Sequence, residues 1–184
     1  MKYLLTVCCF ALLNNLSAQE SEHAQEHESL KGTNRLSLGL GHTLISEGKI
    51  DGKNQWLAAP SWSLDFDHWF SNRFALGLQT DIITESFIVE DHEQEKVERS
   101  YPISLVPVGY YKAGKHLNLF GGVGVEYSSE KTLTLTRLGI EYGFHLPKNW
   151  EVGAVLLWDN KWNYYNSWSI VFSVSKLWPK KKKD

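Results

Sequence analysis

Cysteine is almost missing. The chain of 184 residues has two, Cys8 and Cys9, both in its first ten positions. Val7 stands before Cys8, where a lipid-anchored chain would carry a small residue, so no lipid anchor is expected. Without later cysteines there is no disulfide framework and no thiol nucleophile. Long apolar runs are also missing after residue 18; none approaches the roughly 20 residues of a helical span. Charge of one sign is lacking too. The net charge is −2, which calls for no nucleic acid. No phosphate loop or zinc-ligand spacing is present, and no cofactor and no metal are expected. His23 and His27 lie four apart but in a polar, charge-rich stretch, which reads as solvated tail.

What is present begins with an export pattern. Lys2 precedes an apolar run from Tyr3 to Leu13, and Ser17-Ala18 offers a small-residue cleavage point before Gln19. Residues 1–18 are expected to be a signal peptide, 19–33 a disordered polar leader, 34–178 the folded domain and 179–184 a basic tail. An exported chain without cysteines or helical spans needs another means of holding together. In lipid, only helices and closed barrels satisfy every backbone group.

From residue 34 the hydrophobic period is two. Leu36, Leu38 and Leu40 alternate with Arg35, Ser37 and Gly39. Trp62, Leu64 and Phe66 alternate with Ser63, Asp65 and Asp67. Similar segments run over 74–82, 101–111, 117–127, 133–146, 150–158 and 167–178. Pro102 and Pro107 each remove a ladder donor, which predicts a bulge or weakened pairing in the fourth. Tight connections at 71–73, 113–116 and 147–149 alternate with mostly longer polar ones at about 44–56, 85–100, 128–132 and 159–166. The expected fold is all-β, an eight-stranded antiparallel up-and-down transmembrane barrel with both ends on the short-turn side.

The minority phase decides which face is which. It holds Gly39, Gly41, Gly77, Gly122, Gly124, Gly139, Gly143 and Gly153, with serines and charges. Such residues suit a narrow lumen, which in eight strands is filled by side chains. The bulky phase then faces lipid. Arg35 and Arg137 share the inward phase with Asp65, Asp67, Glu141 and Glu151, and charges away from water require partners. A lumen network is expected from these six, with Arg137 reaching Glu141 or an acid on an adjacent strand. Asp81 and Glu126, near the outer ends, are expected to be solvated. Aromatics make up 13% of the chain and concentrate at strand ends, which fits two interfacial belts. Trp69, Tyr111, Trp150 and Trp178 flank the short turns; Trp62, Tyr127, Trp158 and Trp168 lie toward the long loops.

Three features together resemble the small outer-membrane barrels, the eight-stranded, porin-like class that includes outer-membrane proteins A and X. The first is the signal followed by eight dyad-repeat segments. The second is Leu105-Val106-Pro107-Val108-Gly109-Tyr110-Tyr111 followed by Leu119-Phe120-Gly121-Gly122-Val123-Gly124, similar to a recurring strand–turn–strand pair. The third is the closing strand from Ser169 to Trp178, which resembles the aromatic-ended signal read by the barrel insertion machinery; here Pro179 to Asp184 follow it. The resemblance covers about residues 34–178. It implies a bacterial outer-membrane location, with outer-membrane lipids and the insertion machinery as partners.

The chemistry expected is sparse. Some barrels of this size modify lipid A with a nucleophile and base near the outer rim. His42 and Ser167, on the first and last strands, are the only pair here that could approach. The main reading is a non-enzymatic barrel with a structural or surface-interaction role, acting on a surface partner through loops 44–56 and 85–100, the second read as a solvated acidic loop or, from its Phe87-Ile88-Val89 run, as an exposed ribbon. The alternatives are a lipid A-modifying enzyme and a soluble lipocalin-like carrier.

Overall fold

The computed structural model describes residues 29–50, 53–90 and 96–180. Ten strands follow in chain order: β1 (Thr33–Ile50), β2 (Lys53–Trp69), β3 (Phe74–Ile83), β4 (Ser86–Glu90), β5 (Lys96–Ser100), β6 (Ile103–Lys112), β7 (Leu117–Tyr127), β8 (Leu133–Leu146), β9 (Trp150–Lys161) and β10 (Asn166–Trp178). Eight of them close an antiparallel barrel in the order β1-β2-β3-β6-β7-β8-β9-β10, with β10 pairing back onto β1. The remaining two, β4 and β5, form a separate hairpin.

The alternation sets the faces. Leu38, Phe66, Ile140 and Phe172 point outward and are 55%, 48%, 44% and 68% exposed. Arg35, Asp67, Arg137 and Glu141, in the opposite phase, are all buried. A soluble barrel has the reverse arrangement, so the lipocalin-like alternative fails on this geometry. An apolar perimeter of this extent is stable only against lipid.

The start of β1 and the end of β10 both lie at the short-turn end of the barrel, where Thr33 pairs with Trp69 and Asn34 with Trp178. The β8–β9 turn places Lys148 and Asn149 at φ of 63° and 60°, in the left-handed region, between the paired Leu146 and Trp150. Pro107 has the expected effect. The β6–β7 ladder runs to Leu105↔Val125 and resumes at Val108↔Gly122, with no pairing at Val106 and Pro107.

Three sequence expectations are corrected here. Residues 44–56 are not simply a loop: β1 continues to Ile50 and β2 begins at Lys53, with an irregularity between Ser46 and Gly48. A ribbon standing above lipid needs no apolar phase, so its polar composition reads as loop. Residues 85–100 are likewise not simply a solvated loop but contain the β4–β5 hairpin. Residues 29–32, expected within a disordered leader, dock on the short-turn end: Gly32 N–H donates to the Trp69 carbonyl at 2.6 Å and Ser29 Oγ to Asn72 Oδ1 at 2.8 Å. The signal segment 1–18, the His23 and His27 stretch, and tail residues 181–184 lie outside the described residues.

Candidate functional site: a charged lumen and its outer plug

Strand register brings the inward charges into two clusters. The lower one centres on Arg35 of β1. Its Nε donates to Asp67 Oδ2 at 2.8 Å, its register partner on β2. Its Nη1 donates to Glu141 Oε1 and to Glu151 Oε1, both at 2.7 Å, and its Nη2 to Glu141 Oε2 at 2.8 Å. Asn118 Nδ2 donates to the same Glu141 Oε2 at 3.2 Å. The guanidinium carbon also lies 5.6 Å from the Tyr110 ring centre. One cation thus ties β1, β2, β8 and β9 together across the barrel.

The upper cluster centres on Arg137 of β8. Its Nε and Nη2 form a two-pronged pair with Asp159 of β9 at 2.8 and 2.7 Å. The same Nη2 lies 2.6 Å from Asp81 Oδ1 of β3, and Nη1 donates to Gln79 Oε1 at 3.2 Å. Arg137 therefore reaches Asp159 and Asp81 rather than Glu141, because Glu141 already serves Arg35. Lys161 Nζ extends the cluster, donating to Ser167 Oγ at 2.6 Å and Asp159 Oδ2 at 3.3 Å, with Glu126 Oε2 at 3.5 Å.

Asp81 and Glu126 are thus paired, not solvated as expected; the Glu126 side chain is fully buried. Asp81 is paired by Arg137; Arg99 and Lys161, the cations that pair Glu126, sit in segments read as loops. Asp65 is placed apart from both networks. It accepts the Thr80 N–H at 3.2 Å and makes no ion pair among the described residues. Between the clusters lies a cavity of about 20 Å³, lined by Ser61, Ser63, Asp65, Ser169 and Ser173 among others. That is room for about one water, not for a channel.

The β4–β5 hairpin covers the outer mouth. Phe87, Val89, Val97 and Arg99 turn inward and are buried, packed with Ile45, Ala59, Ile83, Leu133 and Tyr165. Phe87 meets Tyr165 edge-on, with ring centres 5.8 Å apart. Arg99 carries a charge into this apolar contact and is held there by Glu126: Nη2 donates to Oε1 at 2.6 Å and Nε at 3.1 Å. The Tyr165 hydroxyl donates to the same oxygen at 2.6 Å. Burial first, and then the Glu126 charge, hold the Tyr165 phenol well above its ordinary range.

Of the belt residues, Trp62, Tyr111, Tyr127, Trp150, Trp168 and Trp178 are outward and exposed, and Trp158 is half-buried beside Trp168. Trp69 is a correction. It is 2% exposed and points into the lumen, 6.4 Å from the Tyr110 ring centre, with Lys112 Nζ 5.9 Å from its own. Its phase is that of Asp65 and Asp67, which could have placed it. Residue type suggested a belt; parity is what decides.

The residues considered for lipid chemistry do not meet. His42 lies on the outward phase beside Pro60 and Ile170, whereas Ser167 is fully buried and bonded to Lys161. The barrel wall separates them.

No protein-family model matches the chain, and no curated protein matches it in sequence. Solved structures do match its fold. The attachment invasion locus protein Ail of Yersinia pestis, in complex with the heparin analogue sucrose octasulfate, superposes with a TM-score of 0.53 at 14% identity, over 79% of this chain and 99% of that one. Neisserial surface protein A superposes with a TM-score of 0.50 at 11% identity, over 79% and 99%. This is the fold of a small outer-membrane barrel. The chain has the fold of the eight-stranded bacterial outer-membrane barrels, with an apolar perimeter and a charged lumen.

Proposed function

We propose that this outer-membrane barrel is an occluded, non-enzymatic surface protein whose outer ribbons, not its lumen, meet other molecules. The observation that carries the reading is the seating of Phe87, Val89, Val97 and Arg99 in the barrel mouth above the Arg137 cluster. That arrangement leaves little room for a solute path, and it displays the other face of the hairpin, with Ile88 and Glu98, to the outside. A second ribbon stands beside it. Ladder pairing of β2 with β3 begins at Ser61↔Ile83, so residues 53–59 of β2 have β1 as their one strand partner among the described residues. Trp56 on this stretch is 54% exposed. A strand edge with an apolar side chain suits a partner that adds a strand.

The sulfated ligand of Ail does not carry over on charge. The outer end here exposes Glu98 and Glu130 beside Lys96 and Lys131, a mixed surface rather than a basic patch.

Three measurements test the reading. Planar-bilayer recordings of the full chain are expected to show no stable porin-like steps; such steps overturn the occlusion. Lipid A mass spectra of cells with and without the protein are expected to agree; a changed profile overturns the non-enzymatic assignment. Cells displaying the chain are expected to retain a fluorescent Thr-Val repeat peptide, a strand-forming probe, and cells displaying a chain with residues 86–100 replaced by a short turn are expected to lose that retention. Equal retention removes the surface role.

A further inference from the structure

The two ends of the barrel differ in charge. At the short-turn end the acids are Asp67, Glu141 and Glu151, all buried and all engaged by Arg35. No exposed carboxylate remains there among the described residues. What the end displays is cationic. Arg73 sits in the β2–β3 turn, Lys115 in the β6–β7 turn with Lys112 at its edge, and Lys148 in the β8–β9 turn. Lys31 and Lys180 add two more at the chain ends.

Lys176 fixes the height of this ring. It lies on the lipid-facing phase of β10, between Val174 and Trp178, opposite Trp150 of β9 and Leu36 of β1. Its Nζ is 4.9 Å from the Trp150 ring centre and donates to the Lys148 carbonyl. Trp150 and Trp178 are aromatic-belt residues, which rest at headgroup level. An ammonium held among them, on the outer wall, faces headgroups rather than the aqueous space below. Its aliphatic stem covers apolar surface while the charge reaches the interface.

We infer that this cationic ring is a binding surface for anionic phospholipid headgroups of the inner, periplasmic leaflet. The net negative charge of the headgroup is what it recognises, and the geometry favours a lipid over a soluble or wall-bound polyanion because Lys176 lies on the lipid-facing wall at headgroup level. The arrangement also gives the barrel an electrostatic sense of direction: one end attracts an anionic surface, the other does not.

The test uses the full chain reconstituted in phosphatidylcholine vesicles, with spin-labelled phosphatidylglycerol or phosphatidylcholine as the probe of first-shell lipid. The labelled anionic lipid is expected to be preferred by about threefold or more at low salt. The preference is expected to collapse in 1 M salt, where the screening length is about 3 Å. The combined variant Arg73→Gln, Lys115→Gln, Lys148→Gln, Lys176→Gln is expected to lose it. The outer-end control Lys96→Gln, Lys131→Gln is expected to keep it. Heat-modifiable gel migration checks that each variant is folded; if the combined variant is not, Lys176→Gln alone is read, with a partial loss expected. Equal association of the two labelled lipids overturns the inference, as does a preference that survives the ring substitutions. Retention on purified cell-wall sacculi that falls in the ring variant, with lipid preference unmoved, identifies a wall polyanion instead and also overturns it.

Discussion

Arg35 and Glu141 meet across the lumen through two parallel bonds of 2.7 and 2.8 Å, although 106 residues separate them. The pair links β1 to β8, and Asp67 and Glu151 crowd the same guanidinium. Removing the cation leaves three buried carboxylates without it. Arg35→Met is therefore expected to destabilise the barrel by about 3–5 kcal/mol. Urea unfolding in vesicles, followed by loss of the heat-modifiable band, measures it. Glu141→Gln is expected to cost less, because Arg35 keeps two carboxylates. Equal losses for the two variants contradict the central role of Arg35.

Trp69 supplies a test of which way the wall faces. Its ring is packed against Tyr110 inside, whereas Trp62, Trp150 and Trp178 face lipid. In variants that keep one tryptophan each, brominated acyl chains are expected to quench Trp62, Trp150 and Trp178 and to leave Trp69 bright. Quenching of Trp69 to the same extent sinks the inward placement. Trp69→Ala is also expected to cost about 3–5 kcal/mol, the range for a large buried ring. That exceeds the expected effect of Trp178→Ala at the interface.

The barrel itself was legible because lipid imposes a strict period of two, and because glycine and serine in the opposite phase admit only a narrow interior. Strands at 117–127 and 133–146 follow from that pattern to the residue. Legibility ended where lipid ended. In the stretch of β1 and β2 read as loop, the apolar side chains on the outer phase are spaced too far apart to give a period, with Leu44 and Trp56 exposed, and β4 and β5 have five residues each, too few for a periodic signal. Arg99 and Lys161 were missed for the same reason. Arg99 lies on the inward phase of a strand within a stretch read as loop and Lys161 on the end of a strand expected to stop at residue 158, and each meets Glu126, which is distant in sequence. On β9 the odd positions Glu151, Gly153 and Asp159 continue to Lys161, so extending the parity by two residues would have found it.

Phe120 and Gly139 are register partners on β7 and β8, and the ring lies over the glycine. A Cβ at Gly139 would stand 2.2 Å from the Phe120 Cζ. Gly139→Ala is expected to destabilise by about 1–3 kcal/mol through overpacking. Phe120→Leu combined with Gly139→Ala is expected to recover part of that loss. The coupling in a double-mutant cycle checks it, since residues in contact do not add. Additive losses show that the two side chains do not share the space.

The plug at the mouth has a pH dependence set by Tyr165. Its hydroxyl donates to Glu126 Oε1, which also holds Arg99, and the pair sits under Phe87. Burial, followed by the Glu126 charge, raises the phenol above its ordinary range. A raised folded value stabilises the fold fully below the unfolded value, near 10, and the contribution falls as pH rises past it. Alkaline titration followed at the phenolate absorbance is expected to place Tyr165 among the buried tyrosines that ionise late. Protease sensitivity of the 86–100 hairpin is expected to increase over the same interval. In Tyr165→Phe the late-ionising amplitude is expected to fall by one tyrosine, and the hairpin to become more sensitive already at neutral pH, by the loss of one charge-assisted bond worth about 1.5–3 kcal/mol. A titration in which Tyr165→Phe removes an ordinary tyrosine, with no change in hairpin cleavage, separates Tyr165 from the seating of the plug.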